Sequence, residues 1–142
     1  MPYDPELVEE TRAWLVKARE DLRAADFLFT ATPPLLALIA FECQQAAEKS
    51  LKGFLTWNSV PFRRTHNLEE VGEQCVAIDP SLAALVAASV KLSEYAWKYR
   101  YPDSPSGPPE QAARDALALA RSVFAAILGR LPEAVRPVGD AP

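Results

Sequence analysis

The chain has 142 residues, of which 49% are hydrophobic and 24% charged, and its formal net charge is -4 at pH 7. This length suits one domain with its own core, and the composition is that of a globular protein rather than a disordered or membrane-spanning one. The negative net charge excludes a protein that coats nucleic acid through bulk electrostatics, so any contact with nucleic acid is expected to be local.

The first predicted helix begins at the sequence DPE. Asp4 is expected to cap this helix, Pro5 suits its first position, and Glu6 interacts favourably with its amino end. Apolar residues at helical spacing continue to about residue 31, where TATPP ends the pattern. A second apolar stripe predicts a helix over about 34–57, which would lie antiparallel to the first.

The third and fourth predicted helices each begin at a capping residue. Asn67 is followed by Glu70 at the spacing of a capping box, which predicts a short helix to about residue 78. Asp79 and Pro80 then repeat the opening signal of the first helix. The fourth helix is apolar over a wide arc, which is typical of a helix at the centre of a bundle or in a subunit interface. Its two apolar stripes are Leu82, Leu85, Ser89, Leu92, Ala96 and Tyr99, and beside them Val86, Val90 and Trp97.

A fifth helix over about 110–131 follows the stretch YPDSPSGPP, which is too rich in proline to continue a helix. No segment shows the sustained alternation of a strand. The sequence therefore predicts an all-α fold, an up-and-down bundle of about five helices, four long and one short. We expect residues 1–142 to form a single domain, with the core over about 4–131 and a flexible tail over 132–142.

Nothing in the sequence indicates a metal site, a cofactor or a membrane span. Cys43 and Cys75 form no CxxC motif and have no histidine cluster near them, so reduced, buried thiols are expected. The P-loop, GxGxxG, HExxH and GxSxG motifs are absent. The amino terminus lacks a charged and then apolar leader, and no apolar run approaches the length of a membrane span. We therefore expect a cytoplasmic protein without a cofactor.

The polar run QQAAEKSLK in the second helix allows two interpretations. Gln44, Glu48 and Lys52 fall one turn apart on one face, with Gln45 and Lys49 beside them. In the first interpretation this face is solvated, and Glu48 and Lys52 stabilise the helix as an i,i+4 pair. In the second, the small alanines of the run let another helix come close, and Lys49 and the amides line a groove.

His66 is the only histidine of the chain, so no pair of histidines can bind a metal or share acid–base chemistry. Its ring could simply hydrogen-bond near the start of the third helix. Alternatively, Arg63 and Arg64 could hold a phosphate beside a catalytic ring.

The end of the fourth helix crowds aromatic rings and cations together in YAWKYRYPD, residues 95–103. Trp97 and Tyr99 fall on the apolar stripes, so their rings are expected to pack. Arg100, Tyr101 and Asp103 lie at the helix end and in the loop after it, where side chains can converge on an anionic ligand. Arg100 also has a structural use, because its charge complements the helix dipole.

Five segments, WLVKAREDLRAADFL, FECQQAAEKSLKGFL, THNLEEV, LSEYAWKYRYPD and ALALARSVFAAIL, together resemble the HEPN family of helical nucleotide-binding domains. The resemblance runs from about Thr11 to Leu131. It implies a helical bundle that commonly dimerises and is often encoded beside a minimal nucleotidyltransferase, with which it forms a complex. Such pairs frequently look like toxin–antitoxin modules. We expect Val86, Val90 and Trp97 to form the dimer surface.

Many members of the family are metal-independent ribonucleases whose site is an arginine followed, after a polar residue and a short spacer, by a histidine. Arg100 would be the counterpart of that arginine, but RYPDSPSGPP contains no histidine. Metal-free RNA cleavage needs a general acid and a general base, tasks for which histidine is suited. The RYPD form resembles the nucleotidyltransferase-associated branch of the family. The sequence therefore favours nucleotide or partner binding over catalysis.

The leading hypothesis is a dimeric subunit that binds a nucleotide or RNA beside a minimal nucleotidyltransferase. In it Lys49, Arg100 and His66 neutralise phosphate, Tyr101 stacks on a base or ribose, and Asp103 orients Arg100 or a hydroxyl. One alternative is a metal-independent ribonuclease toxin that uses Arg100 with an atypical partner residue, His66 and Asp103 being the candidates. Another is a purely structural adaptor.

Overall fold

A computed structural model describes residues 2–103 and 105–139. Within these residues the chain forms helices and no strands, so the all-α prediction is confirmed. The five α-helices are α1 (Pro5–Leu28), α2 (Leu36–Trp57), α3 (Leu68–Ile78), α4 (Ala83–Ser89) and α5 (Glu110–Leu128). Three 3-10 segments accompany them, Pro80–Leu82, Val90–Ala96 and Glu133–Val135. None of the helices in the described part of the chain has both the length and the apolar surface needed to cross a membrane.

Helix α2 is the central element of the bundle. It packs against α1, α3, α5 and the 3-10 segment Val90–Ala96, and most of its middle is buried. The alternative that the fourth helix occupies the centre is therefore wrong. Small residues explain how α2 can have so many neighbours, because Ala46, Ala47 and Gly53 let adjacent elements approach its backbone closely.

The predicted amino-terminal caps of α1 and α3 are both formed. The Asp4 carboxylate accepts a hydrogen bond from the Glu6 amide at 3.1 Å. The Asn67 side chain accepts one from the Glu69 amide at 2.9 Å. The full capping box is not formed at α3, because Glu70 instead receives two hydrogen bonds from Arg63, at 2.7 and 3.0 Å.

The fourth helix differs from the long helix that the sequence predicts. After α4 ends at Ser89, the chain tightens into the 3-10 segment Val90–Ala96. Ser89 Oγ donates to the Val86 carbonyl at 2.9 Å, a local bond that competes with regular helix geometry. Ser93 Oγ accepts the first amide of α3, from Leu68, at 2.9 Å. The 3-10 segment therefore helps to fix the position of the amino-terminal end of α3.

Part of the predicted flexible tail packs against α1. Val135 is fully buried, and Arg19 donates to the Val138 carbonyl at 2.7 Å. Arg12 donates to the Ala134 carbonyl in the same way. The tail prediction therefore does not describe this part of the chain. Residues 140–142 lie outside the described residues.

Both cysteines are buried and unpaired, as the sequence predicts. Burial raises the pKa of the Cys43 thiol and of the Cys75 thiol to about 12. The two side chains therefore behave as small apolar groups of the core.

Candidate functional site

The polar run of α2 is buried, so the prediction of a solvated face is wrong, although the predicted i,i+4 pair of Glu48 and Lys52 is formed. The side chains of Gln44, Glu48 and Lys52 are almost completely removed from solvent. Gln44 Nε2 donates to Glu48 Oε1 at 3.0 Å, and Lys52 Nζ donates to Glu48 Oε2 at 3.0 Å. These bonds compensate the cost of burying a carboxylate and an ammonium group.

The loop between α2 and α3 covers this polar run. Gln44 donates to the His66 carbonyl at 3.1 Å, and Lys52 donates to the Thr65 carbonyl at 3.1 Å. The Lys52 ammonium also lies 5.7 Å from the centroid of the Trp14 ring and 5.5 Å from that of Phe62. Two buried side chains of α2 therefore bind consecutive backbone carbonyls of the loop and fix the position of His66.

His66 is held by one of its two ring nitrogens. Nδ1 lies 2.7 Å from Glu48 Oε1 and 3.4 Å from the amide nitrogen of Gln45. The His66 side chain nevertheless remains 62% exposed. The ring is thus oriented by a buried carboxylate while its outer edge is open to a ligand. The structural role that the sequence suggests for His66, next to the Asn67 cap, is only part of its role.

His66 lines a cleft of about 570 Å³ between the α2–α3 loop and the 3-10 segment Val90–Ala96. Trp97 forms one wall, with 62% of its surface exposed. The remaining lining residues are Asn67, Val90, Lys91, Ser93 and Glu94. The cleft therefore combines an accessible aromatic face with a cation and the only imidazole of the chain.

Arg100 lies near this cleft but does not line it. Its guanidinium is 4.7 Å from the centroid of the Phe41 ring and donates to the Ala96 carbonyl at 3.4 Å. The second contact is the structural use that the sequence predicts, at the end of the fourth helical element. Phe41 and Gln45 lie one turn apart on α2, so Arg100 and His66 approach neighbouring turns of the same face.

The other predicted site residues do not join the cleft. Tyr101 and Asp103 are exposed in the loop after Arg100. Lys49 forms an ion pair with Asp21 of α1 at 2.7 Å. Burial and then the Asp21 carboxylate raise the pKa of Glu42 to about 7. Lys49 therefore balances acidic groups between α1 and α2, and the predicted groove with Lys49 is not formed.

Sequence reasoning missed Lys91, Asn67 and Trp97 as lining residues. Its helical spacing with Val86 and Val90 places Trp97 on an apolar stripe. That periodicity assumes a continuous α-helix, and the 3-10 segment changes the direction of every side chain after Ser89. The sequence signal that could have identified Trp97 as a site residue is its position close to the cations Lys98 and Arg100.

The described residues hold no group of three or more His, Cys, Asp and Glu side chains arranged to bind a metal ion. A comparison with protein-family models gives a match to the HEPN domain over residues 11–131. Searches of the curated proteins and of the solved structures gave no match. The family and the span that the sequence predicts are both confirmed by the match.

Proposed function

This chain belongs to the HEPN domain family, and we propose that it binds a nucleotide or a segment of RNA in the cleft beside His66. Membership of the family supports, in general terms, nucleotide or RNA binding or an RNase-type function. The proposal that a nucleotide binds in this cleft depends on which parts of a nucleotide the lining residues can contact.

The exposed Trp97 ring is the observation that carries the proposal. With 62% of its surface exposed, Trp97 presents an aromatic face to the cleft that a flat ligand can cover. Bases stack on aromatic rings with about 1–3 kcal/mol per base, whatever their identity. Lys91 stands in the same cleft and can neutralise a phosphate attached to a stacked nucleotide. One ring and one cation thus match the two parts of a nucleotide.

Arg100 extends the proposed site towards the next phosphate. It is exposed, and within the described residues no carboxylate lies within ion-pair distance of it. Tyr101 and Asp103 follow it in the loop, and we retain them as residues that contact a base or orient Arg100. Lys49 is removed from the proposed site because Asp21 already neutralises it.

A thermal-shift titration with a single-stranded RNA of mixed sequence tests this proposal. We expect the RNA to raise the melting temperature of the wild type, and Trp97→Ala and Arg100→Ala to reduce or abolish the shift. Phe27→Ala is the matched control, because Phe27 is an exposed aromatic residue outside the cleft and its removal should leave the shift unchanged. An unaltered shift with Trp97→Ala would disprove the assignment of the cleft.

RNA cleavage is the second candidate function, and the pairing of His66 with Glu48 is the observation that favours it. A ring oriented by a carboxylate is suited to acid–base chemistry, and Arg100 approaches the same face of α2. Incubation of the pure protein with RNA in the presence of a chelator tests this function. If the RNA stays intact, cleavage is excluded and the cleft only binds its ligand.

HEPN domains commonly dimerise, and we propose that this chain is a homodimer that pairs with a minimal nucleotidyltransferase in a toxin–antitoxin module. Val90 remains a candidate for the dimer surface, whereas Val86 is mostly covered by α3 and Trp97 is assigned to the nucleotide cleft. Light scattering gives the mass in solution, and a monomer would contradict the dimer.

Mild affinity purification from the native host should recover the proposed nucleotidyltransferase partner. We also propose a cytoplasmic location, which the unpaired buried thiols fit.

A further inference from the structure

A second groove lies between α3 and α4 and has a volume of about 500 Å³. Val90 lines both this groove and the cleft beside His66, so the two are neighbours on the surface. All the other residues that line the groove belong to the two helices and are absent from the cleft. They are Glu69, Glu73 and Val76 on α3, and Ala83, Val86 and Ala87 on α4.

Helix α4 presents an apolar face to solvent. None of its residues is charged, and its one hydroxyl group, that of Ser89, is buried. A surface helix normally carries polar side chains on its outer face, and a helix that is apolar over a wide arc is usually covered on more than one side. Because α2 occupies the centre of the bundle, α4 fits the other situation, an interface. Its exposed residues are Ala83, Ala84, Ala87 and Ala88.

Two glutamates form the acidic edge of the groove on its α3 side. Glu69 and Glu73 are both exposed and lie one turn apart. Within the described residues neither of them forms an ion pair, whereas Glu70 between them is bound by Arg63. Like charges at this spacing destabilise a helix, so a cation supplied by another molecule would stabilise α3.

The charge of the groove disfavours two other occupants. A two-fold contact between copies places the same surface of each chain against the other, so it would bring both pairs of glutamates together. No lysine or arginine among the described residues lines the groove to balance them. A nucleic acid is disfavoured for the same reason, because its phosphates would be repelled by the acidic edge.

We propose that the groove binds an amphipathic helix of a protein partner, whose apolar face packs on α4 and whose lysine or arginine side chains pair with Glu69 and Glu73. Docking of the apolar face of a helix into a hydrophobic groove is a common mode of peptide recognition. Ala83 and Ala87 favour it, because small side chains at a contact allow two helices to approach closely. This binding site is independent of the nucleotide cleft and of the proposed function.

Two synthetic peptides test the proposal by fluorescence anisotropy. Each is a stapled helix of about four turns with leucine and alanine along one face. Beside that face, one peptide carries two lysines one turn apart and the other carries two glutamates. We expect the wild type to bind the lysine peptide about tenfold more tightly, because exposed ion pairs replace repulsive contacts. Added salt should reduce this difference.

Charge variants show whether the preference arises at the groove. Glu69→Lys/Glu73→Lys should reverse it, and Glu69→Gln/Glu73→Gln should remove it. The glutamine variant keeps the test valid if lysines disturb the start of α3, because glutamine is uncharged and a good helix former. Glu9→Lys/Glu10→Lys is the control, since it changes the net charge equally at exposed positions of α1 outside the groove and should keep the preference. An unchanged preference in the glutamine variant would overturn the proposal.

A steric variant tests the apolar part of the groove. Ala87→Trp fills the groove from an exposed position and should abolish binding of the lysine peptide. Ala118→Trp is the control, because Ala118 is an exposed alanine of α5 outside the groove and its substitution should leave the affinity unchanged. Equal affinities of the wild type for the two peptides, or binding of neither, would overturn the proposal. If Ala87→Trp instead converts a homodimer into monomers in light scattering, the groove is a contact between copies and the proposal is wrong.

Discussion

Lys52 is a buried cation whose charge is balanced by one carboxylate. Only 6% of the residue is exposed, and its ammonium contacts Glu48, the Thr65 carbonyl and two aromatic rings. A buried pair of this kind adds little net stability, but removal of one partner leaves the other charged and unsolvated. The loop that carries His66 therefore depends on both members of the pair.

We predict that Lys52→Met lowers the free energy of unfolding by about 3 kcal/mol, because it leaves the buried Glu48 carboxylate without its ammonium partner. Urea denaturation measures the change. Lys17→Met is the matched control, since Lys17 forms an exposed ion pair with Glu20 and its loss should cost less than about 0.5 kcal/mol. The double variant Glu48→Gln/Lys52→Met should recover part of the loss. Similar effects of the two lysine substitutions would contradict this reading.

Glu42 should make the stability of the protein depend on pH. Burial and the Asp21 carboxylate raise its pKa from 4.5 to about 7 in the folded chain. Between these values the folded state holds one more proton than the unfolded state, so stability falls as the pH rises through this range. Glu42→Gln should therefore gain stability over the wild type as the pH rises, in urea titrations across the range. Glu9→Gln is the control, because Glu9 is exposed on α1, and its stability should change with pH in the same way as that of the wild type.

At the level of elements, the sequence predicts α1, α2, α3 and α5 to within a few residues at each end. Caps and apolar spacing are local signals, so a single sequence is enough to find them. The fourth element was the exception. Its shortening involves a hydrogen bond between Ser93 and the first amide of α3, and a contact between distant segments has no signal in local periodicity.

The packing of α3 against α4 depends on Gly72. A Cβ at this position would overlap Val86 Cγ1. We predict that Gly72→Ala lowers the free energy of unfolding by about 1–3 kcal/mol, because the two helices must separate. Thermal and urea denaturation measure the change. At Gly129 a Cβ would meet only ordinary contacts at 3.5 Å or more, so Gly129→Ala should be neutral or slightly stabilising. A loss at Gly129 as large as that at Gly72 would argue against a steric cause.

For the whole molecule, the sequence identifies the residues of the site better than their arrangement. Gln44, Glu48, Lys52 and His66 were all singled out, but burial of the polar run depends on a loop that closes over it. The apolar spacing places Trp97 on a stripe that packs or forms the dimer surface, because both stripes assume one continuous helix. The other residues that line the cleft come from two segments that are far apart in the chain, and local sequence patterns do not reveal how those segments lie relative to each other.

The carboxyl-terminal segment belongs to the core as far as Val135. This side chain is fully buried, whereas Val138 is 85% exposed only three residues later. We predict that Val135→Ala lowers the free energy of unfolding by about 2 kcal/mol, through lost burial and a residual cavity. Val138→Ala should have almost no effect in the same urea experiment. If both substitutions are silent, the segment does not contribute to the stability of the bundle.

The two buried thiols give the protein an internal reporter of its own opening. Cys43 lies on the central helix and Cys75 on α3, and both have a pKa of about 12, so neither reacts with an alkylating reagent while the core is closed. The rate of alkylation at each sulfur therefore measures how often that part of the bundle opens. Equal rates would mean that α2 and α3 open together, and a faster rate at Cys75 would mean that α3 detaches first. A single cysteine introduced near Trp97 could meanwhile carry a fluorophore without removal of either native thiol.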